Sequence, residues 1–198
     1  MNKLLPFVLL TCTTATTLAD SLVHPRYERI KALREKINVN YDQGEFSPFT
    51  TDGCSMYPDQ NYFPGQEHKW IHCCIAHDIA YWIGGTADQR EVADTELKNC
   101  VTQATNKYHG KMMYLGVKVG GVPGTGLPWA WGYGWQNFKK YSPLSEQNIE
   151  EIRQNTSNVM EIIEVLPSKL VCAGLSIDEK IYIQSILKYK LNELSISN

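Results

Sequence analysis

Trp70-Ile71-His72-Cys73-Cys74-Ile75-Ala76-His77-Asp78-Ile79-Ala80-Tyr81 decides how this chain is read. Trp70, Cys73, Cys74, His77, Tyr81 and, a little further on, Gly84 recur at helical spacing, so residues 69–84 are expected to form a helix. Cys73, His77 and Tyr81 stand at i, i+4 and i+8 and stack along one face. Cys74 and Asp78 stack on the neighbouring face, about 100° around. One helix thus offers a base to one side and a metal-binding carboxylate to the other. Gly84-Gly85 stops it.

The residues downstream fit a partner for this helix. Residues 88–109 are expected to form a second one, capped by Thr86 or Asp88, with Val92, Leu97, Cys100 and Val101 as apolar positions. Asp94 precedes Cys100 by six residues, about 9 Å of helical rise. Tyr114 to Val119 alternates enough for a short strand. Residues 120–135, GGVPGTGLPWAWGYGW, form a glycine and aromatic loop. Two helical stretches follow Pro143, at about 145–165 and 176–194, the second opened by a capping box of Ser176 and Glu179. Upstream, Leu22, Ile30, Leu33, Ile37 and Val39 mark an amphipathic helix over 21–39, and 40–68 is loop.

The whole chain has 198 residues, 43% hydrophobic and 20% charged, which excludes a disordered or collagen-like polymer. Its net charge of −2 provides no basic field for nucleic acid. Met1-Asn2-Lys3, the apolar run Leu4 to Leu10 and Thr17-Leu18-Ala19 make a secretory signal peptide over 1–19, with cleavage expected after Ala19. Cys12 resembles a lipoprotein box only faintly, because Thr11 before it fits poorly. No segment is long and apolar enough to span a membrane. The mature protein is expected to be secreted or periplasmic, where disulfides persist. Lys3 is the only charged residue removed with the signal, so −2 becomes −3. Cys12 leaves too, and Cys54, Cys73, Cys74, Cys100 and Cys172 remain. With an odd number, at least one thiol is unpaired or bridges two chains.

Cys73-Cys74-Ile75-Ala76-His77-Asp78-Ile79-Ala80-Tyr81 resembles the Cys-Cys-x-x-His-Asp-x-x-Tyr active-site helix of the secreted phospholipase A2 family. That family also has an Asp six residues before a Cys in its second helix, matched here by Asp94 and Cys100. Its calcium loop surrounds an upstream Cys, matched by Cys54 in Thr51-Asp52-Gly53-Cys54-Ser55-Met56-Tyr57-Pro58-Asp59. The likeness covers about residues 50–101, roughly a quarter of the chain. The animal-type glycine-rich loop is absent, and the spacing from Cys54 to Cys74 is longer. Asp-Gly-Cys-Ser followed by Pro-Asp is more similar to the bacterial and fungal branch.

The resemblance implies a mainly α fold. Two long antiparallel, disulfide-linked helices and a calcium loop would form a catalytic domain over 20–142, with 143–198 as a C-terminal helical extension. It implies the pairs Cys54–Cys74 and Cys73–Cys100, with Cys172 left over. If Cys73 joins Cys100, the Asp94 backbone comes within roughly one turn of His77. The implied activity is calcium-dependent hydrolysis of the sn-2 ester of glycerophospholipids at a membrane or aggregated lipid surface. His77 would activate water, Asp94 and Tyr81 would hold His77, and Asp78, Asp52 and the Gly53 carbonyl would hold Ca²⁺. The competing expectation is an inactive exported module that keeps the scaffold and binds lipid or protein.

Other readings of these residues are weaker. His68, His72, Cys73, Cys74 and His77 follow no zinc-ligand spacing. Gly120 to Gly126 lacks the ending of a phosphate loop, and no Gly-x-Ser-x-Gly elbow occurs. Trp129, Trp131, Tyr133 and Trp135 have two expected uses: an interfacial docking loop, or core packing against the C-terminal helices.

Overall fold

The computed structural model describes residues 46–51, 53–54, 69–125, 127, 129–135, 140–165 and 175–196. The expected signal peptide with Cys12, the helix over 21–39, Asp52, His68 and Cys172 lie outside the described residues. The described residues form six helices and no named strand: α1 Ile71–Ile83, α2 Ala87–Ala104, α3 Lys107–Gly120, α4 Glu146–Gln154, α5 Thr156–Val165 and α6 Ile177–Ile196.

α1 is buried nearly all round, and only His72 and Asp78 are half-buried. The single stripe expected from periodicity is too narrow, because α1 packs against both α2 and α6. It ends at Gly84, whose backbone takes a left-handed φ of 75° and whose N–H donates to the Ala80 carbonyl at 3.0 Å. Thr86 then starts α2 through a full capping box with Gln89. Cys73, near the start of α1, is bonded to Cys100, near the end of α2, with S–S 1.99 Å. Two helices joined by a three-residue link and tied in this way run antiparallel. Cys54 is bonded to Cys74, S–S 2.01 Å. Both expected pairs therefore form.

α2 buries Arg90, Ala93, Asp94, Leu97 and Val101. Val92, expected on its apolar side, is exposed, since the inward stripe carries Arg90 and Asp94 in its first half. The helix also stops sooner than expected. Asn106 accepts hydrogen bonds from the N–H groups of Tyr108 and His109 and caps a new helix, α3. The strand expected over Tyr114–Val119 is therefore part of α3. Its apparent alternation is too short to decide between periods. The longer window, with His109, Gly110 and Met113 buried and Val117 half-buried, has helical spacing.

Gly110 lets α3 lie close on α2. A Cβ there would sit 2.1 Å from Thr102 Oγ1 and 2.5 Å from the Lys98 carbonyl oxygen. A rotamer change can move the threonine but not the backbone. Gly110→Ala is expected to lower stability by about 1–3 kcal/mol despite the better helix propensity of alanine, read as a fall in Tm.

The C-terminal stretch expected at 145–165 is broken at Asn155, whose side chain donates to the Glu151 carbonyl at 2.9 Å. α6 opens with the expected capping box, Glu179 N–H to Ser176 Oγ at 3.2 Å and Ser176 N–H to Glu179 Oε2 at 2.7 Å. These helices are integral to the core. Ile152, Ile162 and Ile183 belong to one buried cluster with Ile75, Ile79 and Trp82 of α1. No helix among the described residues is long and apolar enough to cross a membrane.

The aromatic segment closes the end of α1, where helix carbonyls lack partners. Gly132 N–H donates to the Tyr81 carbonyl at 2.7 Å, Gly134 N–H to Trp82 at 3.2 Å and the Trp135 indole to Ile83 at 2.8 Å. The Trp131 indole donates to Gly85 and the Tyr133 hydroxyl to Thr50. Trp131, Tyr133 and Trp135 are 2%, 6% and 3% exposed, so the interfacial reading of these three is corrected: they are core. Only Trp129 of the four is half-buried.

Candidate active site

α1 and α2 bring His77, Tyr81 and Asp94 together. His77 Nε2 lies 3.1 Å from Asp94 Oδ1, and the Tyr81 hydroxyl donates to the same oxygen at 2.7 Å. A carboxylate only accepts, so Nε2 carries the proton and Nδ1 is the ring nitrogen left bare. Asp94 has no exposed surface and His77 is 8% exposed. Burial holds the His77 imidazole below the usual histidine range, against the upward pull of its hydrogen bond to Asp94. Burial, and then the Asp94 charge, push the Tyr81 phenol well above the usual tyrosine range. The ring at 77 is thus held neutral, with one orientation, on the edge of a cavity.

That cavity is a pocket of about 580 Å³, whose wall includes His77, Asp78 and Gly53. The rest of its lining is mainly apolar: Leu97, Met113, Val117, Leu127 and Trp129, with the Cys54–Cys74 disulfide. Asp78 is oriented by Thr51, whose hydroxyl donates to Asp78 Oδ2 at 2.5 Å and accepts from Gly53 N–H at 3.1 Å. Gly53 has a left-handed φ of 79°, a conformation that favours glycine. Asp78 and Gly53 both line this wall, and a carboxylate and a backbone carbonyl are hard oxygen donors of the kind calcium takes. Asp52, the third expected ligand, is outside the described residues.

His72, Cys73 and Cys100 also place potential ligand atoms within 4.8 Å of one another. The two sulfurs are bonded to each other, so no thiolate is present to bind zinc. His72 Nδ1 instead lies 3.0 Å from a Glu179 carboxylate oxygen, joining α1 to α6.

Three residues in contact with the candidate site are not among those singled out from the sequence. Thr51 carries no motif signal. Arg90, whose Nε donates to the Tyr81 hydroxyl at 3.0 Å, stands four residues before Asp94, and that spacing is the signal that could have found it. Tyr141, which accepts from the Arg90 guanidinium, had none. No family model, curated protein or solved structure matches this chain.

Proposed function

We propose that this chain is a calcium-dependent phospholipase of the A2 type, hydrolysing the sn-2 ester of glycerophospholipids. The observation that carries the reading is a neutral His77, tied through Nε2 to the buried Asp94, on the wall of an apolar pocket shared with Asp78. A pocket with so few polar groups suits an acyl chain better than a sugar or a nucleotide. The two disulfides agree with an exported protein.

In this reading His77 Nδ1 takes a proton from water as the water oxygen bonds to the ester carbonyl carbon. The bond from that carbon to the sn-2 oxygen then breaks, and the departing oxygen takes the proton back from His77. Fatty acid and lysophospholipid leave, with no acyl-enzyme. Asp94 stabilises the imidazolium formed in between, and Tyr81 keeps Asp94 in place. Asp78 and the Gly53 carbonyl would hold calcium, together with Asp52. The chemistry it supplies when bound is polarisation of the carbonyl and offset of negative charge.

Three side chains of α3 on the pocket wall are also exposed: Met112 at 43%, Leu115 at 48% and Val119 at 81%. The same helix carries Lys107 and Lys111, besides Lys118 paired with Glu91 of α2, and no acidic residue. Exposed apolar groups among lysines suit an anionic lipid surface, and this face takes the docking role in place of the aromatic segment. Val119→Asp is expected to weaken binding to anionic vesicles about tenfold, consistent with the loss of one buried aliphatic side chain. Co-sedimentation measures it, and binding equal to that of the wild type would remove α3 from the docking role.

The test of the reading is fatty-acid release from mixed phospholipid vesicles, with calcium and with a chelator. Release is expected only with calcium, and Asp78→Asn is expected to abolish it at ordinary calcium concentrations. Release that persists in chelator overturns the mechanism. Vesicle binding without release under either condition returns the inactive lipid-binding module.

A further inference from the structure

Arg90 takes part in none of the steps above, yet it is buried beside Asp94. A buried guanidinium needs partners for its N–H groups. Here they reach three different segments. Nε donates to the Tyr81 hydroxyl of α1 at 3.0 Å. One terminal nitrogen donates to the Tyr141 hydroxyl, in the link to α4. The other donates to the carbonyls of Val117 and Lys118, at 2.8 and 2.9 Å, near the C-terminal end of α3. The Val117 carbonyl also accepts the Gly121 N–H at 2.8 Å, so Arg90 is a second donor there.

The direction of each proton follows. The Tyr81 oxygen receives the Arg90 Nε–H, so its own single proton is free to point at Asp94 Oδ1. That oxygen also accepts from His77. Asp94 Oδ2 is buried with no hydrogen-bond partner among the described residues, and the nearby cation is Arg90 Nε at 3.8 Å. A donor chain therefore runs from Arg90 through Tyr81 to Asp94. Val117, whose carbonyl Arg90 holds, lines the pocket.

We propose that Arg90 is a positioning residue: through Tyr81 it holds in place the Asp94 carboxylate that receives the His77 Nε2–H, and through Val117 and Lys118 it locks the α3 wall of the pocket to the same proton chain. This rests on the reading of His77 as the base. A role confined to capping α3 would leave the His77 Nε2–H signal unshifted, which separates the two.

The experiment is ring-nitrogen NMR of the ¹⁵N-labelled protein at mildly alkaline pH, where histidine is neutral. His77 is assigned among the five histidines by its loss in His77→Gln. The wild type is expected to show one protonated and one bare ring nitrogen. Arg90→Gln and Tyr81→Phe are each expected to shift the His77 Nε2–H signal as its bond to Asp94 loosens, and the double variant to shift it no further than either single variant. In parallel, kcat is expected to fall about tenfold in both single variants, with KM raised only in Arg90→Gln. Arg90→Lys keeps the charge without the fork and should recover part of kcat but not KM. An unshifted Nε2–H signal in folded Arg90→Gln, or fully additive effects, overturns the proposal. If Arg90→Gln does not fold, Tyr81→Phe decides alone, and an unshifted signal there overturns it. Should the wild type release no fatty acid, the phospholipase reading fails and the comparison of ring signals still decides the role of Arg90.

Discussion

Replacing His77 with glutamine is expected to lower fatty-acid release about 10²–10⁴-fold, the contribution typical of a positioned general base. Glutamine can still donate an amide hydrogen toward Asp94, so the buried carboxylate keeps a partner and the fold is expected to survive. It cannot take a proton from water. The Tyr81 hydroxyl continues to serve Asp94 Oδ1 from its other side, which further limits the structural cost. The measurement is the initial rate on calcium-containing phospholipid vesicles, with Tm recorded beside it. A variant that keeps more than about a tenth of the wild-type rate would remove His77 from the base role. A large fall in Tm would assign the loss to folding, and His77→Asn would then serve as the second variant.

The second large effect is expected from the disulfides. Cys73 and Cys100 are 27 residues apart, and Cys54 and Cys74 are 20 apart. Chain entropy assigns about 3–4 kcal/mol to each, so their removal as paired alanines should cost similar stability in denaturant unfolding. Their effects on activity should differ. Cys73 stands one turn before His77 and Cys100 six residues after Asp94, so loss of this link shifts the register between base and carboxylate and lowers kcat. Cys54 follows Gly53, so loss of its link frees the Gly53 carbonyl and raises the calcium concentration needed for half-maximal rate. Calcium titration of each folded variant measures this. The same change in kcat and the same calcium requirement in both variants would defeat the assignment.

What could be read from the sequence is confined to short spacings. Cys73, His77 and Tyr81 had to share a helix face because i, i+4 and i+8 do so in any α-helix. The pairing of Asp94 with His77 needed one further idea, a link between Cys73 and Cys100. By contrast, six alternating residues at Tyr114–Val119 fit a strand until the Asn106 cap showed that a helix had already begun there. Val92 was assigned inward because it is apolar, but the stripe of α2 faces a polar site and turns Val92 to solvent. The aromatic residues were ambiguous for a different reason. Trp131, Tyr133 and Trp135 each have an apolar body and a polar tip, which suits a lipid interface and a buried carbonyl equally.

The sequence alone determined how the candidate side chains His77, Asp78 and Tyr81 stand within one helix, since helical geometry sets those neighbours over a few residues. Tertiary structure alone decided the rest: that the three aromatic rings cap α1 within the core, and that the exposed apolar face belongs to α3. It also decided that Arg90 joins Tyr81, Tyr141 and the end of α3. Such contacts span tens of residues, from Arg90 to Tyr141 or from Ile83 to Trp135. They depend on how the chain closes on itself, and no local period encodes that.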